Sequence, residues 1–389
     1  MQHEIKTAHP LLDKKGHLIE AGFTKGLLMD YDRKAIKASG HRIKEWDYYL
    51  IANNDFAVAL TIADNSYMGL DSISLLDLRP DAVRPRSKAG LKAGGSQAPG
   101  AGIGPWEHTN SPMSVFPFGK TGFPAKSSIG DVKHSGKHHS ISFEKVGPAR
   151  ILKFQMDNFL DGKPISGEIT LIEPPEIESM VICTPFAEDP KAFYYNQKIN
   201  CMPAHGLVEF DGVKYEFEDG SFGVLDWGRG VWTYKNTWYW GSASGAVSGV
   251  PFGFNIGYGF GDTSAASENM LFYNHKAHKL SQVTFNIPMK PKHYITRGSC
   301  CGGQSGQCYE TSDMVEDYMK PWTFTSDDGR FEMDFVPILD RASCTDVKLI
   351  CSDQHQVFGR YSGTAILDDG TKIEIKDFLG FAEKVYNKW

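Results

Sequence analysis

The sequence predicts an all-β protein of two antiparallel halves, each a curled sheet or barrel, with few short helices. Three observations predict it. Side chains alternate over long runs, Asp-Gly pairs recur between those runs, and 40 glycines with 12% aromatic residues favour strands and tight turns. The alternation is clearest in VPFGFNIGYGFG, Val250 to Gly261. Val250, Phe252, Phe254, Ile256, Tyr258 and Phe260 fall on one face of a strand, while Pro251, Asn255 and four glycines take the other. A face bare of side chains signals close approach by another backbone, a bulge or a ligand. Pro251 marks a strand start or a sheet edge.

The turns come next. Asp161-Gly162, Asp211-Gly212 and Asp369-Gly370 each separate two alternating runs, and Asp328-Gly329 precedes RFEMDFVPI. Such pairs supply the positive φ angles of a tight hairpin. Helical periodicity is short. SDMVEDYMKPW, stopped by Pro321, is one candidate, and FLGFAEKVYNKW at the C-terminus is the better one, though it could also finish as a strand. RPRSKAGLKAGGSQAPGAGIGP, Arg84 to Pro105, is basic and rich in Gly, Ala, Ser and Pro, and reads as a flexible inserted loop. Residues 1–200 and 201–389 each look strand-rich, with MPAHGLVEFDG as a fresh start. Strands do not alternate with long helices, which disfavours a doubly wound α/β fold.

The totals bound the function. With 389 residues and 41% hydrophobic residues the chain can bury a sizeable core. A net charge of −6 implies no general attraction to nucleic acid or to an anionic membrane. No run of about eighteen apolar residues suggests a spanning helix. MQHEIKTAHPLLDKKGHLIE does not read as a secretory signal. The seven cysteines, at 183, 201, 300, 301, 308, 344 and 351, are therefore read as mostly reduced, in a cytoplasmic protein. RGSCCGGQSGQCYE matches no common zinc pattern, and His134, His138 and His139 in HSGKHHS read as surface histidines in a polar turn. No phosphate loop, dinucleotide fingerprint or nucleophile elbow is present, so neither a metal nor a cofactor is expected.

The candidate chemistry lies in DWGRGVWTYKNTWYW, Asp226 to Trp240, which holds four of the eight tryptophans. Trp232, Tyr234, Trp238 and Trp240 share parity, in one strand or in two joined at Asn236. Asp226 and Arg229 admit two readings. One is an ion pair that latches a barrel mouth, with the arginine stacked on tryptophan. The other is a carboxylic acid in a desolvated aromatic pocket, its pKa raised, able to protonate a double bond or a leaving oxygen. Indole faces would then stabilise a carbocation by roughly 1–2 kcal/mol per ring. RIKEWDYYLI is a second cluster, where Glu45 and Asp47 share parity beside Trp46 and read as acids on an exposed strand face. His205 precedes a strand and is able to point into a pocket.

LLDKKGHLIEAGF, RIKEWDYY, MPAHGLVEFDGVKYEF, LDWGRGVWTYKNTWYW and HQVFGRYSGTAILDDG, in that order along most of the chain, resemble a bacterial family known as domain of unknown function 2804. That family is distantly similar to the lipocalin-like two-domain proteins, which include carotenoid hydratases of the hydroxyneurosporene synthase type, tocopherol cyclases and Diels–Alder-type cyclases. The resemblance implies two lipocalin-like β-barrels side by side and a pocket for an apolar, isoprenoid or polyene molecule. It supplies no catalytic set.

Three functions stay open. The first is a cofactor-independent enzyme that hydrates, cyclises or isomerises a hydrophobic small molecule. Asp226 would donate the proton, Arg229 would set its charge state, and His205 would assist. Trp46, Trp227, Trp232, Trp238, Trp240, Asn255, Tyr258, Glu45 and Asp47 would contact the substrate. The second is a carrier that holds a lipid-like ligand in the same pocket. The third is a carbohydrate-active hydrolase or lyase, since tryptophans stack on sugars and paired acids cleave glycosidic bonds.

Overall fold

The computed structural model describes residues 2–85, 102–295, 308–347 and 350–388. Most of the loop read between Arg84 and Pro105, together with Cys300 and Cys301, lies outside the described residues. Among the described residues the strands form a 14-stranded sheet, a nine-stranded sheet and a two-stranded ribbon. The helical elements are two single 3-10 turns, Arg33–Ala35 and Gly40–Arg42. No described helix is long and apolar enough to cross a membrane.

The hairpins fall where the Asp-Gly pairs put them. Asp161 and Gly162, at φ of 52° and 83°, turn Ala149–Leu160 into Lys163–Ile172. Asp211 and Gly212 join Asp189–Phe210 to Val213–Phe217. Both helix candidates are strands instead. FLGFAEKVYNKW lies in Lys372–Lys388, and SDMVEDYMKPW starts in Cys308–Glu316 and then turns. In each case ladder pairing with a neighbouring strand overrides a weak local helical pattern.

The chain changes sheets at residues 232–234, not at 200. Residues 201–231 complete the first sheet, and the second begins with Lys235–Val247. In the first sheet the order starts with Trp106–Asn110 and Met68–Asp77 and ends with His139–Val146 and Val132–Ser135. Side chains of the first strand reach Ala149–Leu160, third from the far end. His108 Nε2 lies 2.9 Å from the Phe159 carbonyl, and Asn110 donates to the Asn158 carbonyl at 3.0 Å. His134 and His139, read as surface residues, both meet Asp71 at this seam, because sheet curling carries the far strands back to the near edge. The second sheet curls likewise. Its end strands, Lys276–Lys279 and Val283–Asn286, are consecutive in the chain.

Each curled sheet encloses its own apolar core. The first contains Ile51, Leu60, Ile73, Tyr195 and Trp227, and the second Phe254, Trp322, Phe335 and Tyr361. A third cluster lies between the sheets and joins Tyr48, Leu50 and Val224 of the first to Trp240, Phe358 and Phe381 of the second. The bulky face of Val250–Tyr258 fills the second core, so its bare face looks at the first sheet. A Cβ on Gly253 would sit 2.6 Å from the Cys201 sulfur. Cys201 belongs to a bulge between Ile199 and Met202, with φ of 59°, and beside it Asn200 donates to the Ser242 hydroxyl at 2.9 Å. At Gly253 the close approach thus involves the neighbouring barrel, whereas a Cβ on Gly257 or Gly259 would meet the Tyr239 or Thr237 carbonyl of its own sheet.

Candidate active site

The strand Phe222–Val231 belongs to two environments, because alternate side chains leave opposite faces. Trp227 and Arg229 point into the first barrel, and Asp226 points out towards the second sheet. The structure does not bring Asp226 and Arg229 together as a pair. Arg229 instead donates from Nη1 to Asp47 Oδ1 at 3.0 Å and to the Trp46 carbonyl at 2.8 Å, with its guanidinium 4.2 Å from the Trp227 ring centroid. Antiparallel register places Glu45 opposite Arg229 and Asp47 opposite Trp227. Glu45 and Asp47, expected on an exposed face, are thus buried inside the barrel. Glu45 accepts from the Tyr31 hydroxyl at 2.8 Å and forms an ion pair with Arg33. Burial raises the Asp47 carboxyl, and Arg229 opposes that rise. The cavity beside this group measures about 10 Å³, too little for an organic ligand. The first barrel is packed, and Trp227 is part of its core, edge-on to Tyr195.

The outward face carries a different cluster. Asp226 Oδ1 lies 3.0 Å from Lys198 Nζ and accepts from Asn196 Nδ2 at 2.6 Å. Lys198 sits 3.8 Å over the Trp240 ring. The Trp240 indole donates to Asn255 Oδ1 at 2.6 Å, and Asn255 donates in turn to the Glu268 carbonyl at 2.9 Å. On the second sheet Glu383 accepts from the Trp238 indole at 2.9 Å and from Gln356 Nε2 at 3.0 Å. Arg341 donates to Gln356 Oε1 at 2.7 Å. Glu268 and Glu383 are buried, and burial pushes both carboxyls up to about 7. The Lys198 charge opposes the shift in each, and the nearby Asp226 reinforces it. Three buried carboxyl groups therefore lie within the field of one lysine.

Aromatic rings wall this cluster. Trp46 stacks on Tyr194 with centroids 6.1 Å apart, and Trp232 meets Trp46 edge-on at 5.4 Å and Trp238 at 5.9 Å. Trp46 lies across its neighbour strand because residue 228 is glycine. A Cβ there would come within 1.9 Å of Trp46 Cζ2. The aromatic ribbon is broken at Trp232–Tyr234, not at Asn236, so Tyr234 is exposed while Trp238 and Trp240 turn to the interface. Tyr258 faces the second core, stacked on Tyr239 at 4.5 Å, and burial raises its hydroxyl to about 12. His205 is exposed near Asp219 and takes no part in the cluster.

A cleft of about 310 Å³ opens between the sheets, lined by Leu50, Phe222 and Val224 on one side and Ser242, Phe358 and Leu379 on the other. Tyr48, Asp226, Trp240 and Gln356 lie two residues further along these same strands, on the same faces. The cleft and the acid cluster thus share the interface between the sheets, with buried Phe381 lying between the cleft-lining Leu379 and Glu383 on one strand. Its volume is at the small end of ligand sites.

Sequence reasoning missed Lys198, Glu268, Glu383, Asn196 and Gln356. The available signal was polar residues embedded in otherwise apolar strands, as in FYYNQKIN. Glu383 lies in FLGFAEKVYNKW, whose local pattern fits a helix as well as a strand and so does not tell which face the carboxylate takes.

Fold and site together define a protein of two curled β-sheets with a buried acid cluster where they meet. A family model matches residues 2–389, and the chain belongs to the family described as Domain of unknown function (DUF2804). No curated protein matches the chain. Among solved structures, it is similar to kievitone hydratase from Nectria haematococca, at 11% identity and a TM-score of 0.41, over 89% of this chain and 88% of that one. It is also similar to a protein assigned as AttH from Nitrosomonas europaea, at 10% identity and a TM-score of 0.41, over 91% and 96%. CghA bound to Sch210972 matches at 9% identity and a TM-score of 0.34, over 89% and 88%.

Proposed function

We propose that the protein is a cofactor-independent enzyme that acts on a hydrophobic small molecule, of isoprenoid or polyene type, by acid-assisted hydration, cyclisation or isomerisation. The site is the cleft between the sheets. One observation carries this reading: Glu383, its carboxyl pushed up to about 7, lies buried against the Trp238 indole at the interface between the sheets, where the cleft also opens. An acid with a pKa near neutrality holds a proton at working pH and still releases it readily. Glu383 would give that proton to one carbon of a double bond. The cation left on the other carbon would face indole rings, which stabilise positive charge. Water addition with loss of its proton would complete a hydration, attack by a second double bond followed by proton loss from the new cation a cyclisation, and loss of a neighbouring proton an isomerisation. In each case the released proton returns to the Glu383 carboxylate. Asp226, paired with Lys198, would balance charge beside it.

The test is direct. Solvent extraction of purified wild-type and Glu383→Gln protein, with mass spectrometry, should give product from the first and unconverted precursor from the second. The same unaltered molecule from both would make the protein a carrier.

A further inference from the structure

We propose that Asp71, His134 and His139 form a binding site for a divalent transition cation of the zinc type, which clamps the open seam of the first barrel. His134 Nδ1 lies 2.5 Å and His139 Nε2 2.7 Å from the same oxygen of Asp71, and the three candidate ligand atoms lie within 4.8 Å of one another. Each ligand is fixed by its own ladder. Asp71 is in register with Ile62, His134 with Ile141, and His139 with Met156. The ring of His139 packs on Gly136, where a Cβ would come within 2.3 Å of Cε1, so the turn leaves room for the imidazole.

The donor set fits such an ion. Two imidazoles and one carboxylate suit zinc, whereas calcium and magnesium prefer more oxygens. Bonds of about 2.0–2.2 Å place tetrahedral ligand atoms about 3.3 Å apart. The two distances to Asp71 are shorter by less than about 1 Å, and the two imidazole nitrogens lie within 4.8 Å of each other, so small side-chain rotations would open the site. Asp71 and His139 are largely buried, while the His134 side chain is 34% exposed and leaves solvent able to supply a fourth ligand. Position gives the ion its role. Met68–Asp77 and His139–Val146 lie near opposite ends of the sheet order, and side chains rather than a backbone ladder span the gap. A cation held by both ends binds only the folded barrel and so stabilises it.

The full-length chain, stripped with a chelator, would be titrated with Co²⁺ as a spectroscopic probe and with Zn²⁺ during thermal melting. Wild type and His138→Gln, a change at an exposed histidine beside Asp157, should each take up one equivalent with the visible bands of a low-coordinate cobalt site. Zinc should raise their Tm. His139→Gln, and His134→Gln at the more exposed edge, should lose that equivalent, the bands and the zinc-dependent shift. The proposal is overturned if wild type shows neither bands nor a shift, or if both variants retain them. Metal content and melting are read here rather than turnover, so the outcome is independent of the cleft chemistry.

Discussion

Two buried ionic clusters sit on opposite faces of the strand Phe222–Val231, and they are built differently. On the inner face each acid has its own arginine, Asp47 with Arg229 and Glu45 with Arg33, and hardly any cavity adjoins them. On the outer face the Lys198 charge acts on Asp226, Glu268 and Glu383 together, beside indoles and near a cleft of about 310 Å³. A buried charge with a matched partner is a fixed part of the architecture. Carboxyls whose burial outweighs the opposing charges of Lys198, of Lys279 on Glu268 and of Arg341 on Glu383 readily hold a proton, and that is a resource for chemistry. Opposite faces of one strand thus separate stability from reactivity.

The largest expected effect tests catalysis on the outer face. Glu383→Gln should lower turnover by about 10²-fold or more, since general acid catalysis contributes on that scale. Its melting temperature near neutral pH should fall only modestly, because the amide keeps the shape and its one oxygen accepts from Trp238 or Gln356, although the NH2 cannot accept the other bond. A variant that melts early and still turns over would make Glu383 a structural group.

Next is the inner face. Arg229→Met should destabilise by about 3–5 kcal/mol in denaturant unfolding, because Asp47 would remain buried without its partner. Replacing both as Arg229→Met with Asp47→Leu should recover much of that loss. A small effect of the single change would erase the contrast between the faces.

The pH dependence of stability comes third. Glu268 and Glu383 are raised from 4.5 to about 7 in the folded state, so the folded chain binds more protons than the unfolded chain between those values. Their contribution is fully present below about 4.5 and is lost as pH rises through about 7. Lys279, lowered from 10.5 to about 7 by burial, acts with the opposite sign and favours folding as pH rises above 7. Melting curves from pH 5 to 7, below the range in which Lys279 and Lys44, both lowered to about 7, favour folding, should show a decline that Glu268→Gln with Glu383→Gln flattens. An unchanged slope in the double variant would mean that these carboxyls are not raised.

The smallest effect is a control. His205→Ala should alter stability by no more than about 0.5 kcal/mol and leave turnover unchanged, since its side chain is exposed and outside both clusters.

Much of the fold was legible in residues. Alternation along Val250–Tyr258 and the turns at Asp161-Gly162 and Asp211-Gly212 report local backbone requirements, and short-range physics enforces them. The shared parity of Glu45 and Asp47 is visible in the sequence, but their burial is not, because both faces of Ile43–Ala52 are covered. The site was harder. Asp226 and Arg229 are three residues apart, and that odd spacing alone puts them on opposite faces of a strand. Their joint assignment treated closeness in sequence as closeness in space.

The sequence by itself determined the all-β class, the Asp-Gly hairpins and an aromatic segment headed by a carboxylate. Those follow from side-chain alternation and turn geometry within a few residues. Tertiary structure alone decided that Lys198, Asp226, Glu268 and Glu383 meet, and that Asp71 finds His134 and His139 across a seam. Such encounters depend on how sheets curl and which faces they press together, and the sum of many distant contacts sets that, with no local pattern to announce it.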